Sequence, residues 1–121
     1  MVIRPACAAG EWYPSDADEL ITSIAELLLT FPVADLMPYA LLVPHSRLAS
    51  SGRVSAAAFR HLSQLSSVID RVVVIAASED NCSGAVLPIC DQFATPVGPV
   101  SIDEQRCQSL SLLPFVSRCD G

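Results

Sequence analysis

The sequence predicts an α/β fold with a mostly parallel sheet, and three observations carry that expectation. Residues 16–30 repeat apolar side chains at helical spacing. Two strand-sized apolar runs follow, Tyr39 to Val43 and Arg71 to Ala76. A helix-length amphipathic segment separates those runs. Strand, helix and strand in that order form a βαβ unit, whose strands run parallel and whose crossover is right-handed.

The elements follow in order. Residues 1–14, with Pro5, Gly10 and Pro14, read as an irregular lead-in. Ser15 offers an N-cap oxygen, and Asp18 and Glu19 place carboxylates in the first turn, where the helix dipole favours them. Leu20, Ile24, Leu27 and Leu28, with Phe31 one step on, give the stripe of a helix over 16–30 that Pro32 ends. The run from Tyr39 to Val43 suits a strand buried on both faces. Ser50, Ser51 and Gly52 read as a polar stretch leading into a second helix over 53–66, with Val54, Ala57, Ala58, Leu62 and Leu65 as its stripe. Arg71 to Ala76 is the clearest strand, because its residues are mostly β-branched. A loop over 77–85 comes next, then short extended pieces over 86–102 punctuated by Pro88, Pro96, Gly98 and Pro99. Asp103 caps a last helix over 104–112. No repeat, low-complexity run or linker interrupts the chain, so residues 1–121 are expected to be part of a single domain.

Composition narrows the function classes. Hydrophobic residues make up 51% of the 121 and charged residues 17%, which excludes a disordered tail. So apolar a chain must bury a core, with more chain or a partner to cover all of it. The net charge of −6 and the scattering of seven arginines argue against nucleic-acid binding, which needs clustered basic residues. Five cysteines, with no CxxC pair, argue against a disulfide framework or a zinc ribbon and for free thiols in a reducing cytoplasm. No signal peptide precedes the first helix, and no apolar run reaches the ~18 residues that span a bilayer.

In parallel sheets, ligands sit beyond the carboxyl ends of the strands. One expected strand runs into Pro44-His45-Ser46 and the other into Ser78-Glu79-Asp80-Asn81. Neighbouring strands would bring His45 and Glu79 or Asp80 into one crevice. An imidazole beside a carboxylate binds a divalent metal or acts as a general base. The plain alternatives are a capped loop histidine and a solvated acidic loop. Trp12 and Tyr13 read as packing residues, His61 as a surface residue, and Cys82 as a bystander with thiolate chemistry in reach of the crevice.

Four segments in order then resemble one family. Arg4-Pro5-Ala6 through Gly10-Glu11-Trp12-Tyr13-Pro14, with Asp16 and Leu20, resembles the opening of Memo-family proteins, whose bacterial and archaeal members are called AmmeMemoRadiSam system protein B. Pro44-His45-Ser46 through Ser51-Gly52 is similar to their Pro-His segment, and Arg71 to Ser78 to their strand ending in Gly-Pro-Ser-His. Thr95-Pro96-Val97-Gly98 through Asp103 is similar to their Thr-Pro-Leu-Gly segment. The resemblance covers nearly all of this chain and less than half of a typical member.

The resemblance implies an αβα sandwich like that of class III extradiol dioxygenases, incomplete in this chain. It implies a non-haem iron or copper site, metal-dependent oxidoreductase chemistry, and in some members a protein or peptide partner. His45 matches the first ligand histidine. The second is expected at position 79, where Glu79 stands, and a cysteine ligand is expected beyond Gly121. The expected metal set is therefore His45, Glu79 and Asp80, with Arg47 and Ser78 as binding residues, in a site impaired by the missing histidine. Arg47 would repel a dication unless Glu79 or Asp80 neutralises it. The alternatives are a non-catalytic binding module, in which Arg47 holds an anion or an acidic peptide, a homo-oligomer that completes the site, and a fragment of a longer protein.

Overall fold

A computed structural model describes residues 1–77 and 83–119. The chain is α/β and falls into two compact units, Ala8–Ile75 and Met1–Cys7 with Ala76–Gly121.

The unit Ala8–Ile75 is built on two helices, α1 (Ala17–Leu29) and α2 (Leu48–Phe59). Asp16, one residue after the expected Ser15, caps α1: its carboxylate accepts the Glu19 amide at 2.9 Å. Asp18 and Glu19 occupy the first turn as expected, and Leu20 is buried. The second helix starts five residues earlier than its expected start at 53, so Ser50, Ser51 and Gly52 are helical. Their small size serves packing here rather than a turn. A Cβ added to Gly52 would lie 2.9 Å from Leu27 Cδ1 of α1 and 3.1 Å from Leu48 Cδ1. Glycine lets the two helices approach so closely that any side chain here would have to push the ends of Leu27 and Leu48 aside. The buried face of α2 is accordingly Ser51, Gly52 and Ala56, while Val54 of the expected stripe is exposed. A 3-10 turn at Arg60–Leu62 extends α2, and the Arg60 Nε–H donates to the Phe31 carbonyl at 3.2 Å, tying it to the end of α1.

The two expected central strands are not strands among the described residues. Neither Tyr39 to Val43 nor Val72 to Ile75 makes a backbone hydrogen bond there. A run that is apolar on both faces needs strands beside it and layers above and below, and the described residues supply none. Val72, Val73, Val74 and Ile75 are therefore 72%, 75%, 83% and 92% exposed.

The other unit holds the five strands found among the described residues. β1 (Ile3–Arg4) pairs in parallel with β3 (Gln92–Phe93), which pairs antiparallel with β4 (Val100–Ser101). Thr95-Pro96-Val97-Gly98 makes the turn between β3 and β4: the Thr95 and Gly98 amides exchange bonds with each other's carbonyls at 3.1 and 3.0 Å, and the Thr95 hydroxyl donates to the Gly98 carbonyl at 2.6 Å. Arg4 stands opposite Phe93, its guanidinium 5.9 Å from the ring centre. β2 (Ala85–Pro88) pairs in parallel with β5 (Val116–Cys119). Between β4 and β5 lies α3 (Glu104–Leu110), capped by Asp103 as expected, with its own Cys107 buried. Arg118 of β5 grips α3 with its two terminal guanidinium nitrogens, which donate to the Glu104 carboxylate at 2.6 and 2.8 Å, and one of them also reaches the Pro88 carbonyl of β2 at 3.3 Å.

Gly84, just ahead of β2, has φ +88°, a conformation that L side chains rarely adopt. A Cβ there would collide with the Phe115 carbonyl oxygen, the same atom that accepts the Ala85 amide at 2.9 Å. The parallel pair β2–β5 thus begins at a position that only glycine fits.

Candidate functional site

His45 lies on the exposed loop ahead of α2, and three links to the N-terminal turn Gly10–Pro14 fix that loop. The turn is closed by the Gly10 amide on the Tyr13 carbonyl at 2.7 Å and by the Trp12 amide on the Ala8 carbonyl at 2.8 Å. From it the Trp12 carbonyl accepts the Leu48 amide at 2.8 Å, which anchors the first residue of α2. The Trp12 ring meets the His45 ring edge to face, with centroids 5.3 Å apart and planes at 67°. That geometry suits the electrostatics of two aromatic rings. The third link is the ion pair between Arg47 and Glu11, at 2.8 Å.

Glu11 and Trp12 are the residues that sequence reasoning undervalued. Trp12 packs, as its type suggests, but it packs on the candidate imidazole itself. Glu11 carried no expectation, yet it neutralises the cation two residues from His45, a role expected of Glu79 or Asp80. The signal was the run Gly10-Glu11-Trp12-Tyr13-Pro14, whose glycine and proline mark a compact turn.

Ser78, Glu79, Asp80 and Cys82 lie outside the described residues. Among the described residues, no three of the His, Cys, Asp and Glu side chains come together as a metal would require. His45 is the one residue of the expected metal set that lies among the described residues. Arg47 and Glu11 line an open cleft of about 800 Å³ between the N-terminal turn, α1 and the start of α2. Trp12, Glu19, Glu26 and Arg53 also face this cleft. His61, expected at the surface, is half-buried in the 3-10 turn, with its Nδ1 buried and unpartnered among the described residues. Cys90 and Cys107 are buried free thiols, and Cys7 is an exposed one. No helix among the described residues is long and apolar enough to cross a membrane.

The family described as Memo-like protein matches residues 4–120. The chain belongs to that family. A MEMO1 family protein of Ignicoccus hospitalis is 31% identical over 121 aligned residues, covering 91% of this chain and 42% of the relative. One from Aquifex aeolicus is 29% identical and covers 97% of this chain and 43% of the relative. The fission yeast Schizosaccharomyces pombe has MEMO1 family protein C4H3.04c, 32% identical over 89% of this chain and 34% of its own length. This Memo-like chain thus spans about two-fifths of the length of the curated relatives it matches.

Proposed function

We propose that this Memo-like chain carries one part of a metal-type redox site, with His45 as its imidazole and Glu79 and Asp80 as its carboxylates, and that the site is impaired. The observation behind this reading is the tethered loop. Trp12 orients the His45 ring, and Glu11 cancels the Arg47 charge that would otherwise repel a cation. Impairment follows from the donor set: one imidazole with carboxylates, where the family resemblance implies two histidines and a cysteine. A set of so few and such mixed ligands holds a transition metal poorly. The chain alone is not expected to work as an oxidoreductase.

Titration of the purified chain with Fe(II) and Cu(II) tests this. Binding is expected to be weak, to require metal well above micromolar concentration, and to disappear in His45→Ala. Tight stoichiometric binding would overturn the impairment, and weak binding that survives His45→Ala would overturn the site.

A second reading is that the sequence is a portion of a longer Memo-like protein. Its support is the 42–43% coverage of the archaeal and bacterial relatives, together with the exposed aliphatic run Val72 to Ile75. The third reading, an anion or acidic-peptide module built on Arg47, is disfavoured because Glu11 already satisfies that guanidinium.

A further inference from the structure

We infer that the cleft between the N-terminal turn, α1 and the start of α2 binds a basic α-amino acid of the L-arginine type. The cleft lies within the unit Ala8–Ile75 and holds about 800 Å³, in the range of small-ligand sites. Glu11, Glu19, Glu26, Arg47 and Arg53 all line it. Glu11 and Arg47 satisfy each other at 2.8 Å. The side chains of Glu19, Glu26 and Arg53 have no hydrogen-bond or ion-pair partner among the described residues.

Those three charges define the ligand. Glu19 and Glu26 stand seven residues apart on α1, close to two full turns, so their carboxylates leave one face roughly 10 Å apart along the axis. The Ser23 hydroxyl donates to the Glu19 carbonyl at 2.8 Å and the Thr30 hydroxyl to the Glu26 carbonyl at 3.0 Å. Neither hydroxyl therefore occupies a carboxylate. Arg53 comes from α2, next to the glycine that packs against Leu27 of α1. Two anions and one cation are matched by a molecule with two cations and one anion. A basic α-amino acid carries that set: an α-ammonium, a side-chain cation and a carboxylate. Glu19 and Glu26 take the cations, and the planar Arg53 guanidinium takes the carboxylate. Trp12 and Tyr13 line the cleft from the N-terminal turn, and an aromatic ring suits both a guanidinium and the aliphatic stem behind it.

Other occupants fit less well. Protein packed over the cleft would strip water from three unmatched charges, which is costly. A purely anionic ligand is repelled by Glu19 and Glu26, and a purely cationic one by Arg53. The inference goes beyond the proposed metal site and uses none of its residues. A chain that binds L-arginine and no metal leaves it standing.

The test is titration of the full 121-residue chain with L-arginine and with agmatine, its decarboxylated counterpart, followed by the amide resonances of the protein. Low ionic strength keeps exposed charges least screened. L-Arginine is expected to saturate in the millimolar range, because an exposed charge pair changes affinity by no more than about fivefold. Arg53→Gln should lower the ratio of L-arginine to agmatine affinity by about threefold to fivefold, since agmatine has no carboxylate to lose. Glu26→Gln should weaken both ligands by a similar factor. Arg53 and Glu26 are exposed, so neither substitution should move the unfolding midpoint. Absence of saturation at millimolar L-arginine overturns the inference. So does an affinity ratio unchanged in Arg53→Gln, or L-arginine binding that survives Glu19→Gln and Glu26→Gln together.

Discussion

Replacing Gly84 with alanine should cost the unit built on β2 and β5 about 2–3 kcal/mol. The first contribution is dihedral: holding an L residue in the left-handed region costs about 1–2 kcal/mol, and Gly84 sits at φ +88°. The second is steric. The new Cβ meets the Phe115 carbonyl oxygen, and relief requires that oxygen to retreat. It is also the acceptor of the Ala85 amide at 2.9 Å, so the retreat sacrifices a hydrogen bond of about 1 kcal/mol. A loss of that size is a large share of the roughly 5–15 kcal/mol that holds a domain folded. Gly98→Ala supplies the control, since its φ is also positive but a Cβ there meets nothing within 4 Å. Urea unfolding at constant slope, with amide exchange read at Ala85, measures both variants. Gly84→Ala should exceed Gly98→Ala by about 1 kcal/mol and should release the Ala85 amide. Equal losses in the two variants, or an Ala85 amide that stays protected, would refute the collision argument.

Two further outcomes follow from the packing. Gly52→Val should destabilise α1 against α2 by about 1–3 kcal/mol, because the gain in replacing a helical glycine is outweighed by overpacking against Leu27 and Leu48; an unfolding midpoint equal to wild type would deny the close approach. The Glu104 carboxyl is held below its usual range, first by its hydrogen bond to Arg118. A depressed carboxyl stabilises the fold above its unfolded pKa, and that contribution vanishes as pH falls through the folded value. Acid unfolding of Glu104→Gln should therefore be less steep with pH than that of wild type, and identical slopes would show that the pairing contributes nothing.

Local chemistry was legible in the residues, and long-range pairing was not. The spacing of Leu20, Leu27 and Leu28 and the carboxylates at Asp18 and Glu19 announced α1, and Asp103 announced α3, because caps and stripes act within one or two turns. Gly52 misled, since a glycine after two serines suggests a turn as readily as a helix crossing; only the position of Leu27 decides between them. The strands of Ile3 and Val116 went unread for a related reason. Strands of two and four residues are too short to show a period, and their partners, Gln92 for Ile3 and Ala85 for Val116, lie far along the chain. Tyr39 to Val43 and Arg71 to Ala76 read as strands because composition records what a segment requires. The described residues show what is present, and no strand stands beside either run. The candidate site divides the same way. His45 was legible as a polar residue after an aliphatic run, whereas its tether to Trp12 and the Arg47–Glu11 pair depend on contacts across more than thirty positions.

The Leu48 amide bound to the Trp12 carbonyl gives that tether a mechanical meaning. The first turn of α2 hangs from a peptide group in the opening loop, while the Arg47 guanidinium clasps Glu11 on the adjoining residue. The imidazole's orientation is thus governed by a stretch of chain more than thirty positions away in sequence.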